Sequence, residues 1–347
     1  MQERENILTE VAVIRPILII LLVVYHSFII YQGGWSEPVG FEPNETYWWI
    51  SKASYSFMLE AFVLISGYVY AHQLAVKPTA DGGGGKSLVA NKLKRLILPS
   101  IIFSIIYFIL YFEYKSIGQF ASTVINGAGH MWFLPMLFWC FIGCYIINRI
   151  PINKKYKLLG LILIALVSYI PLPLRMGSAM YYLLFFYMGY VIYNLRAQIS
   201  NWVTNKKVLL SWVVYICVFI TFTIAISHLQ NNYIETCNSI IFKALYISTQ
   251  KLLTIIYASL GCFAIYITAV YAFKNKKVSP WIIKFGNISM GVYIIQQFVL
   301  MWLYYHTTLP IHLGSTYLPW AGLAITIIIS ILGALMLKKL PYVGKLI

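Results

Sequence analysis

Long apolar runs recur along the whole chain, and they constrain its fold more than any other feature. Runs of about 18 residues or more are long enough for an α-helix to cross the hydrocarbon core of a bilayer. Charged residues make up only 10% of the chain, whereas a soluble domain carries about 25%. The runs do not alternate apolar with polar residues, as the strands of a transmembrane β-barrel do. The sequence therefore predicts an all-α protein that crosses the membrane several times.

The apolar runs divide the chain into about ten predicted membrane-spanning helices. No hydrophilic stretch is long enough to fold as a separate soluble domain, so residues 1–347 are expected to form a single transmembrane domain. An even number of spans would place both termini on the same side of the membrane. The predicted spans cover approximately residues 11–32, 48–72, 96–113, 130–148, 158–172, 178–195, 208–227, 250–273, 288–305 and 318–337.

The distribution of positive charge indicates which side of the membrane that is. Lysine and arginine concentrate in the alternate loops on the side of the N-terminus, for example in residues 92–95 (KLKR) and 154–157 (KKYK). Such a bias marks the cytoplasmic side, so both termini are predicted to be cytoplasmic. The net charge of +16 is thus spread over several loops and predicts contact with lipid headgroups. A nucleic-acid partner would require one basic surface, so we exclude that class.

Cysteine and histidine show no spacing that is typical of a metal site. Cys140 and Cys144 are one helical turn apart, and no histidine near them could complete a set of ligands. We therefore expect no metal, and we interpret the cysteines of the apolar runs as small packing residues.

Two residues that membrane helices normally avoid lie in the first apolar run. Arg15 and His26 are eleven positions apart, which on an α-helix corresponds to about three turns plus 20°. Both side chains should therefore leave the helix on nearly the same face, separated by about 16 Å along its axis. Ionisable residues are costly inside a bilayer and usually mark a functional path. The alternatives are an interfacial anchor for Arg15 and a structural hydrogen-bonding role for His26.

Four further residues are candidates for the same site. Glu60 lies inside the second predicted span and needs a partner, for which His26 is suitable and a structural pairing is the alternative. His130 and Trp132 begin the fourth span, where they could belong to a site or only to the membrane interface. Trp35, in the first outer loop, could stack on a sugar or form part of an interfacial aromatic belt.

Five short motifs follow one another along the chain. They are Arg15 and His26 separated by ten residues, then residues 62–68 (FVLISGY), 92–99 (KLKRLILP), 129–134 (GHMWFL) and 289–297 (SMGVYIIQQ). In this order they resemble the motifs of the membrane acyltransferase 3 family, integral membrane O-acyltransferases that act on polysaccharides and related acceptors. The resemblance covers essentially the whole chain and is to the stand-alone form, without the SGNH domain that some members carry.

The chain departs from the family pattern at three positions. Ala12 stands where the family often has an acidic residue three positions before the arginine. Lys92 replaces the first arginine of a basic pair, which keeps the charge but loses the bidentate geometry. Gln296 replaces a late histidine, so only a polar contact is expected there. We interpret Ser66 with Gly67 as a site of close helix packing rather than as a nucleophile.

The resemblance implies an acyl-CoA-dependent membrane O-acyltransferase, most simply an O-acetyltransferase, in the cytoplasmic (inner) membrane. The donor would be cytoplasmic acetyl-CoA or another short acyl-CoA, and the acceptor a hydroxyl group of a glycan at the outer face. His26 would be a general base for that hydroxyl, or would carry the acyl group as a nucleophile, with Glu60 as its partner.

The same resemblance suggests which residues hold the two substrates. The CoA phosphates would contact a basic set at the inner face, and the acceptor would contact polar and aromatic residues. The predicted cofactor-binding residues are Arg15, Lys92, Lys94 and Arg95, and the predicted substrate-binding residues are His130, Trp132, Ser66, Gln296 and Trp35.

Two other classes of function fit the composition. A transporter or flippase of a lipid-linked glycan or polymer would also need several spans with intramembrane charge. A scaffold subunit of a glycan-assembly complex fits less well, because it has little reason to carry a costly arginine, glutamate and histidine in the membrane.

Overall fold

The computed structural model describes residues 8–76, 85–170, 172–233, 240–274, 276–341 and 344. These residues form helices and contain no strand, which confirms the predicted all-α class. The α-helices are α1 (Thr9–Phe28), α2 (Glu45–Tyr55), α3 (Met58–Val76), α4 (Gly85–Lys92), α5 (Leu98–Tyr111), α6 (Ile117–Asn126), α7 (Phe133–Arg149), α8 (Lys154–Leu166), α9 (Met176–Trp202), α10 (Asn205–Tyr233), α11 (Ile240–Ala272), α12 (Pro280–Tyr305) and α13 (Leu309–Lys339). Shorter elements are the 3₁₀ helices Ile29–Gln32, Gly129–Trp132 and Pro173–Arg175 and the π-helical segment Leu93–Ile97.

Eight helical stretches of the described residues are long and apolar enough to cross a membrane, which confirms a polytopic membrane protein. They coincide with eight of the predicted spans. The two remaining predictions, residues 158–172 and 178–195, fall on α8, which has 13 residues, and on α9, which has 27 and carries several tyrosines. The total of ten spans and the cytoplasmic termini stay predictions.

The second predicted span, residues 48–72, is not one continuous helix. It is interrupted at Ser56 and Phe57 between α2 and α3. The Ser56 hydroxyl donates a hydrogen bond to the carbonyl oxygen of Ala53 at 2.7 Å, and Ser54 bonds backwards within α2 in the same manner. Serine side chains that compete for helix carbonyl groups favour the end of a helix. The interruption places the start of α3 beside the cavities described below.

The spans predicted at residues 208–227 and 250–273 leave a long outer loop between them, and this prediction is wrong over part of the loop. α10 continues to Tyr233, and α11 begins at Ile240, well before the predicted start of the eighth span. Residues 240–245 (IIFKAL) contain only one charge and are compatible with a helix, so they extend the span. As a result, Lys251 lies in the interior of α11 rather than at the edge of a loop.

α1 packs against α2, α3, α11, α12 and α13, and this central position brings its polar residues to the interior. The backbones of α3 and α9 cross at close range. A Cβ atom added at Gly67 would lie 1.9 Å from the carbonyl oxygen of Phe186, and one added at Gly189 would lie 1.9 Å from that of Leu64. Only glycine permits two backbones to approach so closely.

Candidate active site

A cavity of about 640 Å³, including its open mouth, lies beside His26 near the C-terminal end of α1. We call it the histidine cavity. Its walls come from α1, the α2–α3 region, the 3₁₀ helix before α7, and α12. The residues that line it are Leu22, Tyr25, His26, Ile29, Trp35, Tyr55, Leu59, Gly129, His130, Trp132, Phe133, Tyr293 and Gln297.

The imidazole of His26 is held by Gln296, which is separated from it by 270 residues along the chain. The Nδ1 atom of His26 lies 3.0 Å from the amide Oε1 atom of Gln296, and Gln296 is completely buried. With the Gln296 amide in this orientation its oxygen accepts a hydrogen bond, which requires the proton of the imidazole on Nδ1. The Nε2 atom then keeps its lone pair and is the group that can accept a proton from a substrate.

Two aromatic rings lie around the imidazole. The Trp35 ring is nearly parallel to that of His26, with 5.8 Å between centroids and 8° between planes. The His130 ring lies 6.3 Å from that of His26. Three residues proposed from distant parts of the sequence, His26, His130 and Trp35, are therefore neighbours, together with Trp132, which lines the same cavity.

Several buried polar atoms at this cavity form no regular hydrogen bond with the described residues. Only 5% of His130 is exposed, and its ring nitrogens lie beside Gln297 and the backbone of Tyr293 and Ile294 but form no hydrogen bond of regular geometry among the described residues. The Oε1 atom of Gln297 is also unpaired, whereas its Nε2 atom donates to the hydroxyl of Tyr107 at 3.1 Å. Buried polar groups are costly when they are left unpaired, so these atoms are available to hydrogen-bond with a ligand.

A second cavity, of about 660 Å³ including its mouth, lies closer to the start of α1, and Arg15 lines it. We call it the arginine cavity. It shares the wall residues Leu22, Leu59, Phe133 and Tyr293 with the histidine cavity. The two spaces are thus neighbours along α1. Among the described residues the guanidinium of Arg15 makes no hydrogen bond or ion pair, so its positive charge is free to meet an anionic group.

The other predicted basic residues point in different directions. Lys92 is buried, with its Nζ atom 3.8 Å from the centroid of the Phe141 ring. Lys94 and Arg95 are exposed on the π-helical segment. A π-helical turn inserts a residue and so rotates the following side chains relative to a regular helix. The structure therefore does not gather Lys92 with Lys94 and Arg95 into one basic surface.

A family model described as an acyltransferase domain matches residues 8–339, which is essentially the whole chain. The chain belongs to the acyltransferase 3 family. The sequence resemblance is thereby confirmed, and the protein is a membrane acyltransferase. The family assignment gives no support to the alternative of a transporter or flippase. Neither the comparison with curated proteins nor the comparison with solved structures gives a match.

In this acyltransferase 3 protein the predicted pairing of His26 with Glu60 is wrong. The Oε1 atom of Glu60 accepts a hydrogen bond from the hydroxyl of Tyr181 at 3.1 Å, and His26 is held by Gln296 instead. The physical reason is the packing of α3 against α9, which turns the Glu60 side chain toward Tyr181. In this arrangement Gln296 and Tyr181 make the contacts that a catalytic triad of His26 with Glu60 would require.

Ser66 lies outside both cavities. Its hydroxyl donates to the carbonyl oxygen of Phe62 at 2.8 Å, within the same helix. The neighbouring residue Gly67 forms the close crossing with α9, which agrees with our interpretation of this motif as a packing element. Ser66 has no place in the contacts around His26.

Two residues at the histidine cavity were missed by the sequence analysis. Tyr293 lines both cavities, and its hydroxyl donates to the backbone carbonyl of His130. Gln297 lines the histidine cavity and lies four positions after Tyr293, hence on the same face of α12. Both residues lie in the motif of residues 289–297, but the family pattern indicates a role in that motif for Gln296 alone.

The contact between Gln296 and His26 leads to a prediction. The Gln296→Leu substitution keeps the side-chain size but removes the acceptor of the Nδ1–H group, so the imidazole loses its assigned tautomer and orientation. We expect the rate of acyl transfer to fall about tenfold. A positioned base contributes ~10²–10⁴-fold to the rate, and the loss of its orientation removes part of that contribution. Thr326→Val, at another fully buried polar residue outside the two cavities, is the matched control. An unchanged rate in Gln296→Leu would contradict the assignment.

Proposed function

We propose that this protein transfers an acetyl group from cytoplasmic acetyl-CoA to a hydroxyl group of a glycan at the outer face of the cytoplasmic membrane. The observation that carries the proposal is the adjacency of the arginine and histidine cavities, which share four wall residues along α1. Arg15, which has no hydrogen-bond partner among the described residues, and the imidazole of His26 would form the two ends of a transfer path through the protein.

The arginine cavity suits the donor. CoA carries several phosphate charges and cannot cross lipid, but its pantetheine arm is thin and uncharged at its end. The wall of the arginine cavity is mostly apolar, with Arg15 as its charged residue, and this matches such an arm. The exposed Lys94 and Arg95, which adjoin the cavity residue Leu96, are the groups proposed to contact the phosphates.

The histidine cavity suits the acyl transfer. In one route, Nε2 of His26 takes the proton of the acceptor hydroxyl while the hydroxyl oxygen attacks the thioester carbonyl carbon. The carbon–sulfur bond then breaks, and the imidazolium returns the proton to the CoA thiolate. In the other route, Nε2 attacks the thioester carbonyl carbon first, the carbon–sulfur bond breaks, and CoA leaves as the thiolate. The acceptor hydroxyl oxygen then attacks the acetyl carbon, the bond from that carbon to Nε2 breaks, and the hydroxyl proton passes to the CoA thiolate, so that His26 is regenerated. The His130 imidazole, whose ring centroid lies 6.3 Å from that of His26, is the group proposed to donate a hydrogen bond to the developing oxyanion.

The donor half of the proposal is tested with the purified protein and acetyl-CoA alone. A ligand at about 100 times its Kd stabilises the folded state by ~2.7 kcal/mol, so the melting temperature should rise by several degrees. Arg15→Gln should reduce this rise, because the substitution removes the guanidinium that is proposed to donate hydrogen bonds to the carbonyl oxygens of the pantetheine arm in the arginine cavity. Arg149→Gln, at the cytoplasmic end predicted for α7, is the matched control and should respond as the unmodified protein does.

Two results would contradict the proposal. The first is a protein that acetyl-CoA fails to stabilise at any concentration, while remaining folded and monodisperse. The second is a rise in melting temperature that is the same in the Arg15→Gln variant as in the unmodified protein, whether the ligand is coenzyme A or acetyl-CoA.

A further inference from the structure

A third cavity, of about 970 Å³ including its mouth, lies outside the arginine and histidine cavities. We call it the Glu60 cavity. Its lining residues come from α2, α3, α9 and α11, from the 3₁₀ helix Gly129–Trp132 and from the segment after α8, and the charge distribution predicts that this region lies toward the outer face. Tyr55 and Trp132 line this cavity and the histidine cavity alike, so one wall separates the two spaces.

The Glu60 carboxylate is a buried polar group of this cavity whose hydrogen bonding is incomplete. Only 5% of the residue is exposed, and Oε1 accepts a hydrogen bond from the hydroxyl of Tyr181. The Oε2 atom is buried and has no partner among the described residues. A carboxylate is costly to bury unless its oxygens accept hydrogen bonds, so a ligand that donates to Oε2 would be favoured.

Among the described residues that line the cavity, the ammonium group of Lys251 faces the same space without pairing with the carboxylate. The Nζ atom of Lys251 donates to the hydroxyl of Ser168 at 2.9 Å and lies 5.2 Å from the centroid of the Tyr181 ring. The cavity thus presents an acceptor at Glu60 and a donor at Lys251, with aromatic residues between them. The aromatic wall consists of Tyr55, Trp132, Tyr181 and Tyr182.

This chemistry identifies the class of ligand. A purely apolar ligand would leave the carboxylate and the ammonium group unpaired. A phosphate-bearing ligand could pair with Lys251, but it would leave Glu60 without a donor and add a like charge to the same cavity. A pyranose ring matches both features, because its hydroxyl groups donate and accept hydrogen bonds while its C–H face packs on aromatic rings. We infer that the Glu60 cavity binds an uncharged pyranose unit of the acceptor glycan and positions the next unit of the chain in the histidine cavity. This inference rests on the proposed function.

The test measures sugar binding separately from donor binding. The probes are the methyl glycosides of glucose, galactose, mannose and N-acetylglucosamine, titrated against the purified protein and followed by saturation-transfer difference NMR. At least one glycoside should bind, and Glu60→Gln and Lys251→Gln should each weaken that binding about tenfold or more, because each removes a charged hydrogen-bonding partner.

Two matched control variants test whether a loss of glycoside binding is specific to the Glu60 cavity. Glu10→Gln removes a carboxylate that likewise accepts a hydrogen bond from a tyrosine, Tyr68, but at the opposite end of the helices. Lys52→Gln removes an ammonium group that lies over an aromatic ring, Trp48, outside the cavity. Both controls should bind the glycosides as the unmodified protein does.

The outcomes separate this inference from the proposed function. If acetyl-CoA stabilises the protein but no glycoside binds, or if Glu60→Gln and Lys251→Gln bind the glycosides normally, the inference is overturned and the proposed donor site stands. If acetyl-CoA fails to stabilise the protein, the proposed function is overturned. Melting temperatures of both variants without ligand, within a few degrees of the unmodified value, show that any lost binding is not caused by unfolding.

Discussion

The His26→Ala variant is expected to lose acetyl transfer to surface glycans while it still accumulates in the membrane. The substitution removes the Nε2 atom that either route through the histidine cavity requires, and it leaves the apolar surface of α1 otherwise intact. A positioned base contributes about 10²–10⁴-fold to a rate, and a nucleophile that forms the intermediate contributes at least as much. We therefore expect a fall of at least ~10²-fold.

The measurement is the acetyl content of surface glycans by mass spectrometry, in cells that express each variant at equal levels. His72→Ala is the matched control, because His72 also lies in a helix and contacts a tyrosine hydroxyl, that of Tyr193, at 3.1 Å, but lines neither cavity. This control should retain acetylation. Acetylation at the unmodified level in His26→Ala would remove His26 from the chemistry.

Incubation with radiolabelled acetyl-CoA and no acceptor distinguishes the two routes. A nucleophilic His26 should retain label on the protein after removal of free donor, and His26→Ala should retain none. A general base leaves no label on either protein.

Of the variants described, Gly67→Val is expected to show the largest loss of folding stability. A side chain at this position would place its Cβ atom 1.9 Å from the carbonyl oxygen of Phe186, and a backbone atom cannot move aside as a flexible side chain can. The reciprocal contact of Gly189 with Leu64 lies at the same crossing, so α3 and α9 would have to separate. Overpacking costs about 1–3 kcal/mol or more, and this crossing also positions Glu60.

Fluorescence-detected size-exclusion chromatography after heating measures this loss. Gly67→Val should melt several degrees lower than the unmodified protein or fail to accumulate as a single species. Gly160→Ala is the matched control, since a Cβ atom at Gly160 in α8 meets nothing within 4 Å. It should be neutral or slightly stabilising, because alanine favours the helix. Equal melting temperatures for the two variants would show that the α3–α9 crossing tolerates a side chain.

Much of the fold was predictable from residues close together in the chain. A hydrophobic run of sufficient length has to become a membrane helix, because its backbone polar groups have no other partners in lipid. The same helical period placed Arg15 and His26 on one face of α1, and both line neighbouring cavities in the structure. The helix ends were less predictable: local serine hydrogen bonds interrupt the second span, and apolar residues extend α11 into an expected loop.

The partners of the site residues were not predictable in this way. Periodicity specifies which face of a helix is polar, but the packing of helices distant in sequence specifies which faces meet. His26 is held by Gln296, 270 residues away, and Glu60 by Tyr181 rather than by His26. The amino-acid sequence was sufficient to predict the membrane helices, the family and the polar face of α1. The assembled helices alone established the partner of each polar residue, because close backbone contacts such as that at Gly67 set how the helices are rotated against one another.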